Sequence, residues 1–168
     1  METAAVETRC ICERYLNSAK ATGGKPVLPY RVITGSVEML DYHWLHITIN
    51  TLLPSSFYQT PIWFSDTLRR LLDEYESSGR SLPYFKQALM VIDEHSDIEG
   101  RRAFDQDNKG FKGISNAIKG RLIPDDDQYT LGIVLLSSRS GENACHITLM
   151  DRADTADFFS LKSGDYSI

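Results

Sequence analysis

Alternating apolar and polar residues indicate several short strands along the chain. Leu45, Ile47 and Ile49 alternate with polar neighbours, the period of a half-buried strand, inside a β-branched and aromatic stretch at residues 44–52. The short apolar run at 88–92 fits a buried strand, and strands are also predicted over residues 30–40, 131–136 and 145–150. A turn at residues 140–143 separates the last two, which are therefore expected to form a hairpin.

Helical spacing of apolar residues predicts three helices. The first covers residues 3–21, the second covers residues 64–75, and the third is about 14 residues long. The apolar face of the third helix contains Phe111, Ile114, Ile118 and Leu122. Asp107 or Asn108 is expected to cap its start, and Gly120 suits its end.

Together these elements predict a single-domain α/β (α+β) fold with a mixed β-sheet and flanking helices. The main domain is expected over residues 44–150, after an N-terminal extension of helix and strand at 1–43. An acidic C-terminal tail at 151–168 is expected to be only partly ordered, because chain ends order poorly unless they dock.

Composition agrees with one globular domain. The 168 residues are 42% hydrophobic and 24% charged, which is enough apolar surface for a core. No apolar run approaches the roughly 20 residues that span a bilayer, and the acidic first residues do not suit a secretion signal. A cytoplasmic location with no membrane partner is therefore expected. There Cys10, Cys12 and Cys145 would stay reduced and pack as small apolar residues.

Charge is distributed unevenly. The chain carries a net charge of −5, which argues against a polyanion-binding surface over the whole molecule. Residues 101–121 nevertheless hold an excess of +4, which leaves −9 for the remainder. The basic residues of this segment are Arg101, Arg102, Lys109, Lys112, Lys119 and Arg121. Such a stripe suits contact with phosphate groups, although a solvated helix face would show the same charges.

Two acidic pairs flank the third predicted helix. Asp105 and Asp107 precede it, and Asp125 and Asp126 follow it. Nearby carboxylates repel one another unless a cation lies between them, and Mg²⁺ is often held by one or two carboxylates plus a substrate phosphate. A helix cap and a solvated loop would explain the same acids without a metal. A helix of about 14 residues would also hold the two pairs about 20 Å apart.

Calcium and zinc sites are the alternatives to magnesium. Asp105-x-Asp107-x-x-Gly110 has the first, third and sixth residues of an EF-hand loop, but Lys109 falls on a ligand position and Asn116 replaces the bidentate glutamate. A zinc site of Cys10-x-Cys12 with Cys145-His146 is disfavoured, because thiols two residues apart on a helix point in diverging directions.

The order of the motifs resembles one family of nucleases. Asp105-x-Asp107-Asn108, then a helix bearing Lys112, then Asp125-Asp126-x-Gln128 is similar to the D-x-D-N, lysine and D-D-x-Q pattern of RusA Holliday-junction resolvases. The resemblance covers about residues 44–150 and includes a proline-bearing turn at Pro54. It implies a RusA-like fold, Mg²⁺ with Mn²⁺ as a substitute, branched DNA as the substrate, and a homodimer.

By this resemblance, Asp105, Asp107 and Asp126 would be metal-ligating catalytic carboxylates, with Asp125 as a close neighbour. The position of the family lysine falls on Phe111, so that either Lys112 or Lys109 would serve the phosphate. The residues expected to bind the flanking DNA are Arg101, Arg102, Lys109, Lys119 and Arg121.

The expected function is therefore Mg²⁺-dependent hydrolysis of phosphodiesters in Holliday junctions or other branched DNA. A non-catalytic module that binds branched DNA or regulates its processing is the second hypothesis, and a protein-binding module with an acidic surface is the third. The histidines His43, His46, His95 and His146 are expected to be packed or surface residues, not general bases. Trp44 and Trp63 are expected to pack in the core or at an interface.

Overall fold

The structure is a computed structural model that describes residues 33–54, 62–97 and 109–162. Five strands form one mixed sheet in these residues. The strands are β1 (Gly35–Met39), β2 (Leu45–Ile49), β3 (Ala88–Ser96), β4 (Leu131–Arg139) and β5 (Ala144–Asp151). Their order across the sheet is β1-β2-β5-β3-β4. Strands β3 and β4 are parallel, and all other neighbours are antiparallel. The predicted single-domain α+β fold with a mixed sheet is confirmed.

Within the same described ranges, three α-helices flank the sheet. They are α1 (Ile62–Ser77), α2 (Lys112–Ile118) and α3 (Thr155–Lys162). Helix α1 extends the predicted helix at residues 64–75 by two residues at each end, and Gly79 follows it with φ 83°, a left-handed conformation that glycine adopts without strain. None of the helices in the described part of the chain is long and apolar enough to cross a bilayer.

The two faces of the sheet pack against different helices. Apolar residues of one face, such as Ile47 and Ile92, are buried with Phe64 of α1 and Ile114 of α2. The other face packs Leu89, Val91 and Met150 with Trp44 and with Phe158 of α3. The alternation of side chains along each strand separates these two clusters, and burying each large apolar side chain contributes about 1.5–3 kcal/mol.

The predicted hairpin between the last two strands is wrong. Both β4 and β5 are present, but β3 lies between them and pairs with each. The physical reason is the composition of β3, whose first seven residues, Ala88 to Glu94, are all buried. A strand that is buried on both faces is most stable in the interior of a sheet, so β3 takes neighbours on both of its edges.

The third predicted helix is shorter than its apolar spacing suggests. Helix α2 spans seven residues, its N-cap is Phe111 and not Asp107 or Asn108, and Phe111 makes no side-chain cap. The predicted exit at Gly120 is confirmed, because Gly120 has φ 73° and its amide donates to the carbonyl of Ile123 at 2.8 Å. Leu122 and Ile123 are fully buried beyond the helix, so their apolar side chains belong to a turn.

Of the C-terminal tail after Asp151, which is expected to be only partly ordered, the structure describes residues 152–162. A short 3₁₀ turn at Arg152–Asp154 leads into α3. The tail docks because the indole of Trp44 donates to Asp154 Oδ2 at 2.9 Å and packs edge-on against Phe158, with ring centroids 5.5 Å apart. The predicted helix at residues 3–21 and the first residues of the strand predicted at 30–40 lie outside the described residues.

Replacing Phe158 by alanine tests this docking. The side chain is only 5% exposed, and a Phe→Ala change in a core site costs about 3 kcal/mol of unfolding free energy. Urea unfolding followed by Trp fluorescence should show that loss. Phe159→Ala, at the half-exposed neighbouring position, is the matched control and should cost less than half as much. Equal losses for the two variants would contradict the docked position of α3.

Candidate nucleic-acid and metal site

The described chain resumes at Lys109, directly after the D-x-D-N motif. Asp105 and Asp107, as well as Arg101 and Arg102, lie outside the described residues. The structure therefore describes Lys109, Lys112, Lys119, Arg121, Asp125 and Asp126 among the residues predicted for the site. These six occupy α2 and the segments that enter and leave it.

Three chain segments meet at the entry to α2. The carboxylate of Glu94, on β3, pairs with the ammonium of Lys109 and accepts a hydrogen bond from the backbone amide of Leu53. Lys109 also donates to Ser137 Oγ of β4 at 3.0 Å. The amide of Gly110 donates to the carbonyl of Pro54 at 2.7 Å, and a Cβ on Gly110 would lie only 2.8 Å from that oxygen. We call this arrangement the Glu94 corner.

The two charged side chains of the Glu94 corner are largely buried. The Glu94 side chain is 7% exposed and the Lys109 side chain 12% exposed. A carboxylate in such a position is stable only with a paired cation and further hydrogen bonds. The amide of Leu53 donates to the carboxylate, and Ser137 accepts from the ammonium of Lys109. Lys109 therefore has a structural partner, which favours Lys112 as the residue for a phosphate.

Lys112 is placed differently. It is the first residue of α2, its side chain is exposed, and it forms no ion pair with any described residue. Its neighbours on the helix, Gly113 and Ile114, are buried against the core, so the backbone that positions Lys112 is fixed. An exposed ammonium on a fixed backbone suits contact with a phosphate oxygen.

The acidic run lies beside the end of α2. The ammonium of Lys119 pairs with the carboxylates of Asp125 and Asp126, the latter at 2.9 Å from Oδ1. These hydrogen bonds raise the pKa of Lys119 above its ordinary value. The hydrogen bond from Lys119 in turn lowers the pKa of the Asp125 carboxyl. Two carboxylates thus reach one cationic atom at this place.

Arg121 lies on the other side of the same turn. Its guanidinium pairs with Asp73, at 2.8 Å, and with Glu76, both on α1. The basic residues of the stripe that the structure describes therefore lie next to acidic partners, with Lys112 as the exception. The pairs of Lys119 and Arg121, unlike that of Lys109, are partly exposed, and exposed ion pairs contribute little to stability.

Of the carboxylates predicted to hold magnesium, the structure describes Asp125 and Asp126, and both are paired with Lys119. Asp125 and Asp126 supply the oxygen ligands that Mg²⁺ prefers, and the shared Lys119 shows that both can approach one cation. Within the described ranges, no group of three or more His, Cys, Asp or Glu side chains has the arrangement of a metal site. Asp105 and Asp107, the remaining predicted ligands, lie outside these ranges.

Sequence reasoning missed a second polar cluster, on the sheet face that carries α3. Asp93 is almost fully buried there, accepts from Ser138 at 3.0 Å and pairs with Lys162 of α3. Burial alone would raise the pKa of Asp93, but the hydrogen bonds from Lys162 and Ser138 lower it on balance. His95 lies 3.4 Å from the same carboxylate.

Three histidines continue this cluster across the face. The ring of His146 lies between those of His95 and His46, with centroid distances of 4.3 and 5.4 Å. Burial lowers the pKa of both His46 and His146 below the ordinary value. The sequence held one signal for the cluster, because the tripeptide His-Ile-Thr occurs at both 46–48 and 146–148. As predicted, Cys145, Trp44 and Trp63 are buried.

Comparison of the sequence with known protein families gives no match. Comparison with functionally characterised proteins also gives no match. The resemblance of the two acidic motifs to RusA resolvases therefore stays a prediction.

Removing the cation of the Glu94 corner should destabilise the protein strongly. Lys109→Met leaves the buried Glu94 carboxylate without a counter-charge, which costs about 3–5 kcal/mol of unfolding free energy. Lys112→Met, three residues along, removes the same charge from an exposed position and should change stability by less than about 0.5 kcal/mol. Chemical unfolding measures both. Similar values would show that Glu94 does not depend on Lys109.

The acidic run gives a pH-dependent prediction. Lys119→Met should raise the pKa of Asp125 towards its ordinary value of about 3.9, because the hydrogen bond that lowers it is lost. A lowered folded-state pKa contributes stability above the unfolded value and loses it as the pH falls through the folded value. Below about pH 4 the wild type should therefore lose more stability than the variant. NMR titration of the Asp125 carboxyl carbon measures the shift directly, and an unchanged pKa would contradict the pairing.

Proposed function

We propose that the protein is a Mg²⁺-dependent endodeoxyribonuclease that resembles RusA resolvases and cleaves branched DNA as a homodimer. The observation that carries the proposal is the short connection between the two acidic motifs. Helix α2 has seven residues and rises about 10 Å, half the length expected from the sequence. A turn at Gly120 then leads to Asp125 and Asp126, which pair with Lys119 beside the end of α2.

The oxygen ligands in this proposal are Asp105, Asp107 and Asp126, with Asp125 as their neighbour. Asp125 and Asp126 already converge on one cation, the ammonium of Lys119, in the described structure. Lys119 would leave these carboxylates when they take up the metal, since an exposed ion pair is weak. When bound, Mg²⁺ supplies charge neutralisation at a phosphate and an activated water.

Lys112 is the residue that we assign to the scissile phosphate. It precedes the buried part of α2, it is exposed, and the Glu94 corner immediately before it fixes the start of the helix. Its ammonium would neutralise a non-bridging phosphate oxygen as negative charge builds up during hydrolysis. Lys109 serves the fold instead, through Glu94 and Ser137.

Contacts to the flanking DNA are assigned to Arg101, Arg102, Lys119 and Arg121. Lys119 and Arg121 would exchange their carboxylate partners for phosphates, which positions the backbone of the DNA without reading its sequence. Two such surfaces related by a two-fold axis would match the symmetry of a four-way junction. The homodimer follows from the family resemblance.

Cleavage of a synthetic four-way junction tests the proposal. The full-length protein should nick a fluorescently labelled junction in the presence of Mg²⁺ and not with EDTA, while leaving a linear duplex of the same sequence intact. Asp107→Asn and Asp126→Asn should abolish nicking but keep binding. Asp127→Asn is the matched control, because Asp127 accepts hydrogen bonds within its own turn from Tyr129 and Thr130, and an amide oxygen can replace it. Lys112→Ala should slow single-turnover cleavage by about 100-fold.

Binding measurements separate this function from the two alternatives. Junction binding by the wild type without any cleavage in Mg²⁺ or Mn²⁺ would overturn the nuclease and favour the non-catalytic module. An affinity for DNA that hardly changes with salt would count against both, because several phosphate contacts give a steep loss of affinity as salt rises. Cleavage that survives Asp107→Asn would overturn the assignment of the ligands.

A further inference from the structure

The two His-Ile-Thr tripeptides lie side by side on neighbouring strands. In the antiparallel register of β2 and β5, Thr48 pairs with His146 and His46 pairs with Thr148. The isoleucine between them in each tripeptide points into the core, so all four polar side chains share the opposite face. The result is a pseudo-symmetric array of two imidazoles and two hydroxyls.

Three atoms of this array form an equilateral triangle. His46 Nε2, His146 Nδ1 and Thr48 Oγ1 are each 3.3 Å from the other two. That spacing is longer than a normal hydrogen bond, which is 2.7–3.2 Å for an N–H donor and an oxygen acceptor. It is the separation expected for ligands of one tetrahedral ion, because atoms about 2.05 Å from such an ion lie about 3.3 Å apart.

The remaining hydroxyl orients one of the rings. Thr148, which is 6% exposed, lies with Oγ1 3.0 Å from His46 Nδ1. In the tautomer that donates from Nδ1 to Thr148, the lone pair of His46 Nε2 points into the triangle. Hydrogen bonding through the second ring nitrogen is the usual way in which a metal-binding histidine is held in position.

The surrounding charges also suit a cation. Glu38 stands opposite His46 in the register of β1 and β2, and Asp93 stands opposite His146 in the register of β3 and β5. Asp93 pairs with Lys162, and the two charges cancel, so the negative charge that favours a cation comes from Glu38. His46 and His146 are half-buried, so an ion from solvent can reach both rings.

We infer that His46, His146 and Thr48 form a binding site for a divalent transition-metal ion such as Zn²⁺. Two imidazole nitrogens select an ion of borderline softness over Mg²⁺, and the open fourth position would hold water. The site lies on the sheet face that carries α3, whereas α1 and α2 pack on the other face. It is therefore independent of the proposed nuclease.

Zinc titration of the full-length, untagged protein tests the inference. Competition with a chromophoric zinc chelator should show one ion bound per chain. His46→Ala and His146→Ala should each weaken binding at least about tenfold, and Thr48→Val should weaken it less, because water can replace the hydroxyl. His43→Ala is the matched control, since His43 is exposed in the turn between β1 and β2, and it should leave affinity unchanged. Co²⁺ should give the visible absorption of a tetrahedral complex in the wild type but not in either alanine variant.

Variants with a side-chain amide in place of the imidazole show whether a loss of zinc binding reflects loss of the ligand or misfolding. His46→Gln and His146→Asn place amide groups near Nε2 and Nδ1, and far-UV circular dichroism without metal confirms that they fold. Zn²⁺ should raise the melting temperature of the wild type but not of these variants. No saturable Zn²⁺ binding by the wild type, or binding that both histidine variants retain, would overturn the site. Asp107→Asn should bind Zn²⁺ as the wild type does, so a failed nuclease proposal leaves this result unaffected.

Discussion

The buried Glu94 carboxylate is the constraint on which the arrangement of the sheet and α2 depends. A negative charge at that depth must be neutralised, and the only cation that pairs with it among the described residues is Lys109. The pairing holds Lys109 against β3, and the amide of Gly110 extends the contact to the Pro54 carbonyl. The ends of β2 and β3, the start of α2 and a residue of β4 are thus held by one charged group.

The second organising feature is β3. Its apolar residues face both sides of the sheet, so it requires cover from helices on both faces and from strands on both edges. The parallel pairing with β4 follows, because a parallel neighbour needs a crossover connection and the segment containing α2 supplies one. At the far end of β3 the polar residues alternate between the two faces of the sheet. Asp93 and His95 lie on the face that carries α3, and Glu94 lies on the other.

Local sequence patterns predicted the helices and strands correctly where the apolar positions of the pattern are the residues buried in the structure. The strand at 44–52 and the helix at 64–75 were confirmed because each has one apolar and one polar face. Local patterns failed where contacts between distant residues determine the structure. Strand β3 lies between the two strands of the predicted hairpin. Leu122 is buried in a turn and does not continue the helix. The apolar run of β3 indicated a buried strand, but it did not indicate which strands would lie beside it.

The candidate site shows the same limit. The sequence shows how the acidic residues around α2 are spaced. It does not show the ion-pair partners of Lys109, Lys119 and Arg121, because these partners lie on other elements or beyond a turn. The histidine cluster was equally hidden. Two copies of His-Ile-Thr a hundred residues apart become one site only when β2 and β5 pair in one particular register.

That register has a consequence for folding fidelity. If β5 slid by one residue against the rest of the sheet, the imidazole of His146 and the hydroxyl of Thr148 would enter the main apolar layer, and Ile147 would leave it for the face that carries α3. Each misaligned pairing would thus lose hydrophobic contacts and bury unsatisfied polar atoms at the same time. The two tripeptides therefore favour one register of β2 and β5. Only that register buries both isoleucines and keeps the imidazoles and hydroxyls on the opposite face.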